Sequence, residues 1–289
     1  MSNTVGVVIN PDDVDSEAAL IELGRELIRE HQSKHSALTV RRKRMVNMAH
    51  APLVASLAYH ALRLGETVID LTERGHRLEA FPTVRATFET ALTAMWLSQS
   101  REATSAFHNE HERQTRNLVE HGLKAASEAM RAGAAGITAR SSEVYETSAN
   151  PQARSFEKLC ASSTGGRDAY VVYRLMSAYA HPSMAITEHY LFESENEAGV
   201  TLHSEPTQPT DNFWLYMTVA SMIWAQRAVD HMDQGHPHRS WLRQAAKKLG
   251  VAETLNLTPE AQAAEMKAEK ERRKSSWKGP KKRKPRAGK

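Results

Sequence analysis

An all-α fold, a multi-helix bundle with a disordered basic C-terminal tail, is the expectation from this 289-residue sequence. Three observations lead there. Apolar residues return at three- and four-residue steps through most of positions 15–250, the spacing that gathers them on one helical face. Capping and stop residues punctuate those stretches at helix-sized intervals. No alternating run is long enough for a sheet, and no internal repeat of roughly 20–50 residues is present.

Taken in order, residues 1–14 read as a disordered lead and residues 15–250 as the helical domain. Asp15 or Ser16 caps a first helix to about Lys34, with Leu20, Leu23, Leu27 and Ile28 as its buried stripe. A long second helix is expected from about Leu38 to Arg74, starting in the solvated cluster Arg41–Arg44 and bent or broken at Pro52. Gly75 ends it, and Pro82 suits the first turn of a third helix that stacks Phe81, Val84, Phe88, Leu92 and Met95. A polar helix runs from Ser100 to about Ala132, stopped by Gly133 and Gly136. Asn150-Pro151 opens another through Cys160, a turn follows, and a helix covers Tyr170–His181 before Pro182 ends it. In that helix Val171, Leu175 and Ala178 form the expected anchoring strip. Residues 193–210 read as a loop. Asp211 caps a helix with Phe213, Met217, Ala220 and Trp224 on one face, and Ser240 caps a short amphipathic piece ending at Gly250. Residues 251–289 read as a polar, then basic, mostly disordered tail.

The net charge of +4 hides a division. Positions 265–289 hold 12 Lys or Arg against 3 Glu, which leaves 26 basic and 31 acidic residues before them. The body is therefore mildly acidic, and a high isoelectric point says nothing about a nucleic-acid-binding core. One cysteine, Cys160, excludes an internal disulfide and a thiolate metal cluster, which fits a reducing compartment. No secretory signal and no apolar run near the roughly 18 residues of a membrane span is read, so a cytoplasmic protein without membrane partners is expected.

The tail offers Trp277 for base stacking amid Lys281, Lys282, Arg283, Lys284 and Arg286, a composition that suits RNA or single-stranded nucleic acid. It suits an acidic protein partner equally, and PKKRKPR looks like a nuclear import signal. With 14 histidines a metal must be considered. The sequence has no HExxH and no Cys/His cluster, and its one Glu-x-x-His, Glu73 to His76, straddles the helix end at Gly75, so no metal is expected. No cofactor is expected either. There is no G-x-G-x-x-G, P-loop or G-x-S-x-G.

Two pairings carry chemistry. Arg174, Ser177 and His181 stand at i, i+3 and i+7, with Tyr170 and Tyr173 beside them. The structural reading is a helix whose last turn favours a His at the negative dipole end. The functional one is a phosphate-handling site, with Arg as planar anion clamp and His as proton carrier. Arg85 and Glu89, at i and i+4, are either a surface pair contributing about 0.3–0.5 kcal/mol, a semi-buried structural pair, or the lining of a ligand pocket.

The Arg174-(x6)-His181 spacing near the C-terminal part of a helical bundle resembles the HEPN superfamily of ribonucleases and nucleotide-binding modules. The segment Tyr173-Arg174-(x6)-His181-Pro182-Ser183, with RATFETAL upstream, also resembles an uncharacterised bacterial helical family with a Tyr…Ser-x-x-x-His-Pro-Ser segment. The first resemblance implies a toxin or defence ribonuclease that cleaves RNA without metal at a homodimer interface. In it His181 moves the proton, Arg174 holds the phosphate, and Ser177 or Tyr170 orients the scissile group. Leu175 stands where HEPN nucleases usually carry a polar residue, and Pro182 cuts the helix directly after His181. These departures, with the Arg85/Glu89 pair beside an apolar stripe, point to a second reading, a non-catalytic helical module in which Arg85 and Arg174 bind an anionic ligand or partner protein, with Glu89 and Tyr173 beside them.

Overall fold

The computed structural model describes residues 16–33, 50–137, 144–193 and 199–276. The lead, the Arg41–Arg44 cluster, the start of the second helix and the tail beyond Ser276 lie outside them. The fold is all-α.

Its framework is a bundle of four helices. α1 (Glu17–Ser33) and α2 (His50–Glu73) lie antiparallel, with Gly24 against Ile69 and the His31 ring 4.6 Å from Tyr59. Gly75, at φ 81°, ends α2 in the left-handed conformation that glycine adopts without a Cβ penalty. α3 (Arg77–Gln99) then runs back along α2. Pro82 lies inside α3 and not in its first turn, because the helix starts one residue after His76; the Leu78 amide is taken by the Gln208 side chain at 2.8 Å.

The next stretch departs from a single polar helix. α4 (Ala103–Leu123) stops at Lys124, and α5 (Glu128–Gly136) folds back on it. A Cβ on Gly122 would sit 2.6 Å from that of Ala134, so the two helices meet through small residues. Arg131 donates to the Ala125 and Ala126 carbonyls and closes the turn. The apolar face of this stretch is too thin to hold one long helix on the bundle: Leu118, Leu123 and Met130 are all exposed. The expected Asn150–Cys160 helix is also two pieces, α6 (Asn150–Arg154) and α7 (Phe156–Ala161). Ser155 between them is extended, and its hydroxyl accepts from the Lys158 amide. Asn150 does not cap; its side chain binds Asn109 on α4 at 3.0 Å.

α8 (Gly166–Ala180) follows the left-handed Gly165 and ends where His181 turns extended. The Ser183 hydroxyl donates back to the Ala178 carbonyl, satisfying an acceptor at the helix end. After α9 (Met184–Thr187) and a 3-10 turn at Glu188–Tyr190, residues expected as loop form a small antiparallel hairpin. Its strands are β1 (Leu191–Glu193) and β2 (Val200–Leu202), with Leu191 opposite Leu202. Six paired residues with an exposed second strand are too short to show an alternating signal.

α10 (Phe213–Met232) is the centre. All its residues except Phe213, Val229 and His231 are buried. It runs parallel to α3, with Trp214 against Phe81 (4.3 Å) at one end and His231 at Ser98 (3.3 Å) at the other. α11 (Arg239–Leu249) ends at the left-handed Gly250. Residues beyond 250 depart most from the expectation of disorder. Leu255 and Leu257 are buried, the Trp224 indole donates to the Ala252 carbonyl at 2.8 Å, and α12 (Pro259–Ser276) follows. Glu265 on α12 accepts from the Ser100 hydroxyl, and burial pushes its carboxyl up. The helix formers of 259–276 are legible in the sequence, but the two leucines that tether them are too isolated there to read as an anchor.

Glycine at 166 is a steric requirement. A Cβ there would lie 1.6 Å from the Cys160 carbonyl oxygen, backbone that cannot rotate away. Gly166→Ala is expected to destabilise by at least about 1–3 kcal/mol, the range for overpacking a fitted site. Gly133→Ala, in an exposed helical turn with nothing within 4 Å, should gain up to about 1 kcal/mol. Denaturant unfolding of the two variants checks the pair; equal effects would contradict this packing.

Candidate functional site

The sequence-selected residues lie on α3 and α8, which pack antiparallel. A seam of aromatic rings fixes their relation. Tyr179 meets Phe81 edge-on at 4.9 Å and Trp214 at 5.3 Å; towards the other end, Phe156 of α7 lies 6.2 Å from Phe88 and 4.4 Å from Tyr173. The rings decide which face of α8 turns inward. Val172 and Met176 are buried, with Ala169, Tyr173 and Tyr179 packed beside them. The expected strip of Val171, Leu175 and Ala178 is therefore displaced by about one position: Val171 is 62% exposed and Leu175 45%. Two tyrosines bury more area than Val171 and Leu175 can, so they win the inner face.

The three residues expected to bind a ligand converge. The Arg85 guanidinium donates to the Tyr173 hydroxyl at 2.6 Å, its carbon lies 4.9 Å from the centre of that ring, and Glu89 is 3.4 Å away. This cluster is half-buried, and the contacts of Arg85 with a carboxylate and a phenol match the semi-buried structural pair; within the cluster only the Arg85 Nε is buried without a partner. Tyr173 stacks on Tyr170 at 6.0 Å and 22°, and the Tyr170 hydroxyl next to the Arg174 guanidinium raises its already high proton affinity. One polar and aromatic ridge thus runs from Glu89 through Arg85, Tyr173 and Tyr170 to Arg174.

Arg174 and His181 face outward. Both are exposed, and His181 stands at the extended residue that follows the helix, not on its last turn. Ser177 is drawn the other way: its hydroxyl donates to the Tyr173 carbonyl at 2.8 Å, the usual back-bond of a serine inside a helix. Six residues of helical rise, roughly 9 Å, and one extended step separate Arg174 from His181 along the chain. Trp277 and the basic residues Lys281, Lys282, Arg283, Lys284 and Arg286 lie outside the described residues.

A second polar region is not evident from the sequence. At the end of the bundle where α3 and α10 finish, a cleft of about 740 Å³ is lined by His50, Ser98, Arg101, Arg227, His236, Arg239 and Glu253, among others. Arg227 is 4% exposed and bonded to Asp230, which is 1% exposed. Burial pulls the Arg227 guanidinium down, against the pull of Asp230 and Glu253. The available signal is an Arg and an Asp three apart inside an otherwise apolar helix, a combination that is unfavourable unless paired. Among the described residues no three His, Cys, Asp or Glu side chains are arranged to hold a metal ion. Among them, too, no helix is long and apolar enough to cross a membrane.

Cys160 borders the α3–α8 seam at 1% exposure, and burial near Glu89 pushes its thiol up to about 12. At pH 8 it is a thiol and not a nucleophile. A thiol-reactive dye should leave native protein unlabelled at pH 8 and label it stoichiometrically in denaturant; rapid native labelling would contradict the packing.

A protein-family model described as a family of unknown function, DUF5677, matches residues 51–198, just over half the chain. The matched region holds α2 to α9 and every α3 and α8 residue named above, while Arg227, Asp230 and Glu253 lie beyond it. Comparisons with curated proteins and with solved structures return no match. The chain belongs to the DUF5677 family.

Proposed function

We propose that this is a HEPN-like helical protein that cleaves RNA without a metal, working as a homodimer through the outer face of α8. The observation that supports it most is the outward placement of Arg174 and His181 beside the exposed apolar residues Val171 and Leu175. Folding does not call for an arginine and two aliphatic side chains on the solvent face of one helix with an exposed histidine just past its end. A second copy laid against that face covers the aliphatic residues and supplies a second Arg and His to the same phosphate. His181, extended and exposed, takes the 2′-hydroxyl proton or delivers one to the leaving oxygen. Arg174, with the Tyr170 hydroxyl beside it, presents a planar fork to the phosphate and stabilises the charge that develops there. Tyr170 orients the guanidinium; Ser177 is committed to its own helix.

The alternative from the same residues is a non-catalytic module that binds an anionic ligand or partner protein. The observation on its side is that Arg85, Glu89 and Tyr173 meet on one ridge. Their mutual bonds leave less for a ligand, so the catalytic reading ranks first.

Purified protein should cleave RNA in excess EDTA, and His181→Ala should lower the rate by about 10²–10⁴, the usual weight of a general acid–base group. Arg174→Ala should lower it comparably, while Arg85→Ala should act mainly on stability. Leu175→Asp should convert dimer to monomer in analytical ultracentrifugation and remove activity together with it. Cleavage that needs a divalent ion or survives His181→Ala sinks the catalytic reading.

The tail is proposed to add non-specific affinity for the same substrate. Residues 277–289 carry seven Lys or Arg and no acid. Truncation after Ser276 spares α12 and should flatten the salt dependence of single-stranded RNA binding, by about 0.7 in log–log slope for each phosphate that the tail neutralises. Trp277→Ala should cost about 1–3 kcal/mol if a base stacks there. Full-length and truncated protein binding equally at low salt would show that the tail does not touch the RNA.

A further inference from the structure

We propose that the cleft at the far end of the bundle is a binding site for a small oxyanion, a molecule carrying a phosphate or clustered carboxylates, held by Arg227 and Arg239. This site is separate from the α8 face and does not depend on the ribonuclease reading. Its volume of about 740 Å³ lies in the range of small-ligand pockets.

Rigid walls come first. Gln99 clamps the 251–258 segment by donating to the Leu255 carbonyl at 2.8 Å and accepting from the Leu257 amide at 3.1 Å. Gln262 donates to the Leu257 carbonyl at 3.0 Å, and α12 is held at the rim by Glu265 on Ser100 and by Arg101 against Glu269 at 3.0 Å. A groove whose walls are cross-linked in this way keeps its shape without a ligand.

Charge comes second. Glu253 is the one carboxylate in the lining among the described residues, and three arginines share it: Arg227 at 3.0 Å, Arg243 at 2.9 Å and Arg239 at 3.9 Å. It satisfies them unevenly. The Arg243 contact is an aligned hydrogen bond, whereas the buried Arg227 Nε and the Glu253 Oε1 beside it have no aligned partner. Arg239 is more than half exposed and touches Glu253 only at ion-pair range. Even with Asp230 behind Arg227, three guanidinium charges face two carboxylates. A guanidinium buried among apolar helix neighbours and left partly unmatched attracts an oxyanion far more strongly than a solvated one does. Glu253 occupies the place of the anion imperfectly, and an incoming oxyanion shares or displaces it.

The test uses full-length protein and four probes: inorganic pyrophosphate, adenosine monophosphate, citrate and adenosine. Calorimetric titration at low salt should show one site per chain for at least one of the three anions and none for adenosine. Pyrophosphate or the nucleotide binding without citrate assigns phosphate; citrate alone assigns carboxylate. Arg239→Ala should weaken that binding by at least about tenfold, as expected for loss of a charged hydrogen bond, with the unliganded melting temperature unchanged because Arg239 is exposed. His181→Ala should leave it intact, which separates failure here from failure of the ribonuclease reading. Absence of binding by all three anions at 10 mM (a chosen ceiling, about 2.7 kcal/mol of affinity) overturns the proposal. So does binding that Arg239→Ala leaves unchanged, since the anion is then elsewhere, the basic tail included.

Discussion

The rest of the fold depends on the burial of α10. A helix apolar on every side has no face to turn to water, so it must be wrapped, and α1, α2, α3 and α11 do the wrapping. The wrapping sets directions. Gly65 of α2 lies against Met222 and Gly24 of α1 against Val219, so glycine lets both helices approach the central one closely. α3 runs parallel to α10, and parallel neighbours cannot be joined by a short turn. The chain leaves the end of α3 and travels through residues 100–212 to reach the start of α10. That excursion contains α8, laid antiparallel on α3 as the return path. The helix that carries the candidate site is thus the topological consequence of a core helix that must be parallel to its partner.

The aromatic seam then decides which residues of the return path meet water. With Tyr179 fixed between Phe81 and Trp214, and Tyr173 against Phe156, the helix cannot rotate without opening three ring contacts, each adding about 0.5–1.5 kcal/mol beyond its buried area. Rotational register is what separates the two arginines. Arg85 is turned into a carboxylate and a phenol, and its charge is neutralised inside the protein. Arg174 is turned out, exposed and without a carboxylate ion pair among the described residues, so its charge is available to an anion.

What the sequence makes legible follows from how local each signal is. The caps and stops at Gly75, Pro182 and Gly250, the stripe Leu20, Leu23 and Leu27, and the all-α class rest on neighbours within two turns, and the structure bears them out. The break at Lys124 is illegible because it follows from how little apolar surface holds the stretch to the bundle, whereas the break at Ser155 has one local sign, a serine whose hydroxyl caps the next piece. The inner face of α8 is illegible for a similar reason. Ala169, Val172, Met176 and Tyr179 have good spacing too, and the choice between stripes is made by Phe81 and Trp214, which are remote in sequence. The convergence of Arg85, Glu89 and Tyr173 is readable as residue types but not as a contact. Arg227 with Asp230 shows the opposite case: a charge pair hidden in a hydrophobic run is conspicuous once the run is known to be fully buried.

Electrostatics links these parts into one physical picture. Without positions 265–289 the chain is net acidic, and a net acidic body gives a polyanion no attraction; beyond the Debye length of about 8 Å its charges are screened altogether. An outward arginine such as Arg174 acts only inside that length. Capture of nucleic acid, on the proposed reading, is served by a separate cationic element: the net positive charge sits in positions 265–289, while the 26 basic residues before them are outnumbered by 31 acidic ones. The arginines of the end cleft obey the same rule in reverse. Arg227 is walled by Glu253, Asp230 and the 251–258 segment, and on the proposed reading its field acts within that cleft on a small anion. On the functions proposed here, one chain keeps three populations of arginine apart by burial alone: Arg85 neutralised in the seam, Arg174 exposed on the outer face, and Arg227 enclosed at the bundle end.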